Sequence, residues 1–230
     1  MILVPPIIDF QEEGHIYRVN DKVKVSPTKI IEKQNLGGLQ YVPELGGYIA
    51  TKLKEMPDGS IRETRHFIQK HVIENKGAIG KGYHYAAYLL VRGEIGDYVV
   101  HESVKPYFEA FQLFLAREPF VPEPQYAEYM VYSQHHDYCT TIDIIGRYKG
   151  IRAIGDYKCS QVVDRAVEIQ TGFGEIAFNE YHVEDPVKIR FSLHLKKNGT
   201  YKFDDHTHMP ASLALDALRL YRWKYKKGVL

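Results

Sequence analysis

The chain has 230 residues, 44% hydrophobic and 26% charged, with 30 basic against 29 acidic side chains and a net charge of +1. Those proportions exclude disorder, collagen-like repeats and a coiled coil as the main architecture, and a charge near zero singles out no polyanionic partner. Two cysteines, Cys139 and Cys159, are too few for a disulfide framework, a four-cysteine zinc site or an iron–sulfur cluster.

No apolar run reaches the roughly 20 residues of a membrane span. The opening MILVPPIIDF lacks the basic lead and cleavage site of a signal peptide. A cytoplasmic location and no membrane partner are expected. In chain order, Ile7–Phe10 and His15–Val19 read as a strand pair, with Asn20–Asp21 a turn before Lys22–Val25. Ser26 before Pro27 is an N-cap followed by proline at the first helical position, so Thr28–Lys33 opens a helix. Asn35–Tyr48, with four glycines and a proline, reads as a loop. Helical spacing returns over Ile61–Glu74, stopped near Gly77, over Ile79–Val91, stopped by Gly93, and over Ser103–Ala116.

Three strands follow as a meander, Tyr126–Ser133, Tyr138–Tyr148 and Ile151–Cys159, then a helix from Asp164 to Asn179. Strands Val187–Leu195 and Tyr201–Phe203 flank the turn at Asn198–Gly199, and an amphipathic helix, Ala211–Lys226, ends in a basic tail. The order predicts one α/β domain over 1–230 around a mixed sheet. It divides into an N-terminal strand pair, helix and loop (1–60), a core of meander and flanking helices (61–182), and a hairpin with a basic helix (183–230).

The meander carries the sharpest chemical signal. Asp156 and Lys158 are two apart on one strand and share a face. A turn centred at Lys149–Gly150 sets Asp143 opposite Asp156, and a turn between His135 and His136 sets Glu128 opposite Asp143. Paired Cβ atoms lie about 4.5–5.5 Å apart, so three carboxylates form a row that repels itself unless a cation sits among them. A hard divalent cation suits such oxygens. A lysine beside it can orient a water or offset phosphoryl charge, the needs of metal-assisted phosphodiester hydrolysis. An Asp-x-Lys on a solvated face needs no cation, but the pairing outweighs that reading here.

Asp143 followed by Asp156-Tyr157-Lys158 resembles the PD-(D/E)XK nuclease superfamily, in its RecB-like and phage exonuclease branch. Gly80-Lys-Gly-Tyr-His84 resembles the branch's helical Gly-x-x-x-His motif, Glu128 its first-strand acid, and Gln170 the glutamine of Gln-x-x-x-Tyr. The stretches Gly14–Tyr17 and Ser26–Ile31, and the closing hairpin and basic helix, look like the ends of phage-encoded members. Ile142 stands where the family name has proline, and Gly174 where the motif has tyrosine, with Phe173 beside it.

The resemblance implies a restriction-endonuclease-like fold and a Mg²⁺- or Mn²⁺-dependent DNA nuclease, an exonuclease before an endonuclease. Its setting would be phage or bacterial DNA recombination, repair or degradation. His84, Asp143 and Asp156 would bind metal with the carbonyl of Tyr157, Glu128 would serve a second metal or a water, Lys158 would position the nucleophile, and Gln170 would orient Lys158 or the phosphate. No iron–sulfur cluster is expected. Beyond DNA, the partners in view are further copies of the chain or a recombination protein, and an inactive DNA-binding accessory module is the alternative.

Basic side chains interleave with aromatics near the end. Lys196, Lys197, Arg222, Trp223 and Lys226 are the candidates for DNA contact, against an ordinary amphipathic helix. His206 and His208 read as loop residues, and Cys159 as a strand-core thiol lacking the partners of a nucleophile.

Overall fold

The structure, a computed structural model, describes residues 4–34, 39–159 and 166–226. The N-terminal pair is present as β1 (Asp9–Gln11) and β2 (Ile16–Val19), and β3 (Lys22–Lys24) adds a third antiparallel strand. Ser26 caps α1 (Pro27–Lys33) as expected, its side chain accepting the Lys29 N–H at 3.3 Å.

The next stretch corrects two expectations. The described part of the expected loop holds β4 (Leu39–Val42) and the start of β5 (Gly47–Glu55). The expected helix over Ile61–Glu74 is instead β6 (Ile61–Gln69), paired with β5 over nine registered positions. Arg62 through Phe67 are all exposed, so no core selects which of their faces is apolar, and spacing there carries little structural information. Helix α2 then runs unbroken from Lys70 to Arg92, through the expected stop at Gly77, before Gly93 ends it in the left-handed conformation (φ 71°). Burial of Tyr83, Ala86, Ala87 and Val91 outweighs the cost of its internal glycines, about 1 kcal/mol each.

Helix α3 (Lys105–Arg117) leads through β7 (Phe120–Pro122) to β8 (Tyr129–Ser133), β9 (Tyr138–Ile142), β10 (Ile144–Tyr148) and β11 (Ile151–Lys158). Next come α4 (Ala166–Asn179), β12 (Ile189–Leu195), β13 (Tyr201–Asp205) and α5 (Ser212–Lys226). The expected start of α4 at Asp164 and the tail beyond Lys226 lie outside the described residues. Among the described residues the protein is mixed α/β, with five helices and a central mixed five-stranded sheet in the order β13-β12-β11-β10-β7. Strands β11 and β12 are parallel across α4, and the other neighbours are antiparallel.

The three-strand meander is a further correction. Its middle strand breaks at Asp143, leaving β8 and β9 as a separate two-stranded sheet while β10 enters the central one. The register would put Ile142 opposite Tyr157, but the Asp143 carboxylate takes the Tyr157 N–H instead, at 2.7 Å. A side chain thus satisfies the donor that β9 would have satisfied, and β9 is free to diverge.

Alternation along β11 divides the core. Ala153 and Tyr157 join Tyr83, Phe111, Phe114, Phe120, Phe191 and Leu193 beneath α2 and α3. Ile154 joins Ile30, Ile145, Phe173, Phe178, Ala217 and Leu218 beneath α1, α4 and α5. Each large side chain buried this way contributes roughly 1.5–3 kcal/mol. Asp156 lies on the second face, where α4 shields it from water.

Candidate metal centre

Both expected registers hold. Ile144 pairs with Gly155, which continues to Asp143 beside Asp156, and Tyr129 pairs with Ile142, which continues to Glu128 beside Asp143. Two turns set them: Lys149 and Gly150, both left-handed (φ 52° and 81°), and the His135–His136 turn, held by Glu180, which accepts the backbone N–H groups of Gln134 (2.7 Å) and His135 (3.3 Å). Just past the strand ends, the Glu128 N–H donates to the Asp143 carbonyl at 3.0 Å. Glu128 adopts φ 49°, a strained backbone for a non-glycine residue, which turns its side chain toward α2.

There it meets His84. The His84 Nδ1 lies 2.8 Å from Glu128 Oε1 and 3.9 Å from Asp143 Oδ1. One ligand atom each from His84, Glu128 and Asp143 falls within 4.8 Å of the other two. Opposite ligands of an octahedral Mg²⁺ are separated by about 4.1 Å, twice a 2.0–2.1 Å bond, so a small contraction makes the three fit one divalent ion. Asp143 divides its labour, one oxygen held by Tyr157 N–H and the other turned to the cluster. Tyr157 is tied to the site through this N–H, and its ring is buried against Tyr83.

Asp156 sits beside this trio, one strand over, with Lys158 Nζ at 3.0 Å from Oδ1 and 2.7 Å from Oδ2. Gln170 on α4 places Oε1 3.4 Å from the same ammonium. The charged groups lie close enough together to shift one another. Burial alone would lower the His84 pKa, but the Asp143 and Glu128 carboxylates raise it to about 9. Burial lifts the Asp156 carboxyl to about 6, with Asp143 adding to the rise and Lys158 opposing it. Burial also raises Asp143, against the attraction of His84.

Packing accounts for the glycine at position 174. A Cβ at Gly174 would lie 3.1 Å from Ile154 Cδ1 and 3.2 Å from Ile142 Cγ1, so no aromatic ring fits between α4 and the sheet. Phe173 is fully buried in the core, facing Tyr138. Burial pushes the Cys159 thiol up to about 12, consistent with a core thiol rather than a nucleophile.

The basic candidates anchor on different elements. Lys196 and Lys197 belong to the β12–β13 turn, which approaches Glu109 of α3 at Gly199. Arg222 donates to the carbonyls of His136 (2.6 Å) and Asp137 (3.3 Å), Trp223 is exposed, and the side chain of Lys226 lies outside the described residues. His208 is exposed, and both it and His206 lie in the loop after β13 as expected, although His206 is buried there with Nε2 2.8 Å from Ser192 Oγ.

Sequence reasoning also passed over Thr141 and Tyr17. Thr141 lines one small cavity with Asp143, Asp156 and Gln170, and the Tyr17 hydroxyl lies 2.8 Å from Thr141 Oγ1. Strand alternation places Thr141 on the face of Asp143, a signal legible in Thr141-Ile-Asp143, whereas the approach of β2 is a long-range contact with no local trace. No family model matches the chain, and neither does any curated protein.

Proposed function

We propose that the protein is a Mg²⁺- or Mn²⁺-dependent DNA nuclease of the PD-(D/E)XK type with a restriction-endonuclease-like core, acting as an exonuclease. The observation that carries this reading is the convergence of His84, Glu128 and Asp143 beside a buried Asp156–Lys158 pair on the adjoining strand. His84, Asp143 and Asp156 would hold the cation, and Glu128 would supply a further oxygen ligand. A divalent cation bound there would supply Lewis-acid polarisation of the scissile phosphate and an acidified water.

The chain's residues do the rest. Asp143 is held in place by the Tyr157 N–H, which keeps its second oxygen on the cluster. With its proton lost to solvent, His84 would offer a ring nitrogen. Asp156 would ligate the cation through the carboxylate that pairs with Lys158, and the Lys158 ammonium would face the phosphoryl oxygens, where negative charge develops. Gln170, within reach of Lys158, limits the positions that ammonium takes.

The test is a time course on end-labelled linear DNA beside a covalently closed circle, in Mg²⁺, Mn²⁺ or EDTA. Metal-dependent loss of the linear DNA with the circle spared is the expected result. A cut circle moves the protein to the endonucleases. DNA binding with no cleavage under any metal replaces the proposal with the accessory module.

A further inference from the structure

The motif Gly14-His15-Ile16-Tyr17 has no part in the metal centre, yet the structure folds it against that centre's wall. Gly14 and His15 are both left-handed (φ 79° and 51°), which turns the His15 ring back across β2. The ring meets Phe10 and Tyr17 edge to face, each at 5.1 Å between centroids. His15 Nε2 lies 3.0 Å from the Tyr17 hydroxyl, which in turn lies 2.8 Å from Thr141 Oγ1. Tyr17 is 1% exposed, and its phenol is close enough to Asp143 and Glu128 to feel both charges. His15 itself is exposed.

A cation reaches the same turn through Glu12, whose carbonyl accepts the His15 N–H at 3.0 Å. Lys81 lies on α2 one turn before His84, and its charge acts on His15. Its partner Glu12 is 3.0 Å away, with both side chains about three-quarters exposed, and such a pair yields to a competing anion at little cost. When Thr141 donates to Tyr17 and Tyr17 donates to Nε2 of His15, the ring proton resides on Nδ1. That leaves a neutral, oriented N–H donor beside an ammonium, on the rim of an acidic centre that a polyanion must approach.

We propose that His15 and Lys81 form a phosphate-contact subsite that receives a backbone phosphate flanking the scissile one. The inference rests on the nuclease reading and names how its substrate is held. His15 acts on substrate directly, and Tyr17 and Thr141 are positioning residues. A purely structural role, tying the N-terminal sheet to the body, would use the Tyr17–Thr141 bond but leave His15 and Lys81 indifferent to substrate charge.

The experiment scans a DNA substrate with a single methylphosphonate, which removes one phosphate charge at a time. It compares the intact protein with His15→Gln and Lys81→Ala under Mn²⁺. Each variant is expected to raise KM about tenfold with kcat within about twofold, the loss of one charge-assisted contact. In the intact protein one position should carry a similar penalty, and in the variants that penalty should vanish. Lys81 is exposed, so its variant keeps the fold even if the His15 change loosens the turn. A penalty of equal size in the intact protein and both variants, or none at any position, overturns the subsite. If the intact protein cleaves nothing, the nuclease reading fails, and fluorescence-anisotropy binding of the same methylphosphonate series decides the subsite by the same comparison.

Discussion

Asp156→Asn should stabilise the metal-free protein while abolishing its activity. The carboxyl is 4% exposed, and burial, reinforced by Asp143 and opposed by Lys158, raises it from 3.8 to about 6. A rise of about two units at roughly 1.36 kcal/mol each makes the ionised form cost about 3 kcal/mol in the folded chain at neutral pH. Because the folded value lies above the unfolded one, the favourable contribution is complete below the unfolded value and disappears as pH rises through about 6. The amide has no charge to bury. Thermal unfolding in EDTA at pH 7 should therefore show the variant more stable by about 1–3 kcal/mol, at roughly 2–4 °C per kcal/mol for a chain of this size. The advantage should shrink to near zero by pH 4, and Mn²⁺ should narrow it at pH 7 by stabilising the unsubstituted protein. A variant less stable at pH 7 without metal, or an advantage that does not change with pH, would refute the reasoning.

Three further substitutions probe the surroundings. Lys158→Gln removes the ammonium 2.7 Å from Asp156 and should cost about a hundredfold or more in metal-dependent cleavage with the fold retained, checked by single-turnover rates and circular dichroism. Gly174→Tyr puts an aromatic ring against a wall already 3.1 Å from a Cβ. It should destabilise by about 3 kcal/mol or more in a urea titration, whereas Gly174→Ala should cost about 1 kcal/mol. Arg152 is nearly buried, 3.0 Å from Glu123 and 2.8 Å from Asp185. Arg152→Ala leaves Glu123 without that partner and should cost about 2–3 kcal/mol by the same titration, discounted because Asp185 is half exposed.

The parts of the site that local chemistry dictates were legible in the sequence. Lys149–Gly150 can close only a tight turn, and the turn sets Asp143 beside Asp156 without knowledge of the rest of the fold. The spacing on α2 placed His84 on a helix, and the contact with Glu128 followed from topology. The switch of sheets at Asp143 was hidden, because it depends on a side chain capturing the Tyr157 N–H. Strand β6 was hidden for a different reason: exposed on both faces, it carries no periodicity that a core would impose. The burial of His206 needed the β12–β13 hairpin to bring it to Ser192, a contact between residues 14 apart.

The most direct test of the metal centre is a Mn²⁺ titration followed by electron paramagnetic resonance, with the unsubstituted protein beside Asp143→Asn, at pH 8 and without DNA. A metal centre at Asp143 predicts saturable loss of the free-ion signal in the unsubstituted protein and at least a tenfold weaker site in the variant, with unchanged circular dichroism. Equal binding by both, or no binding by either, would contradict it.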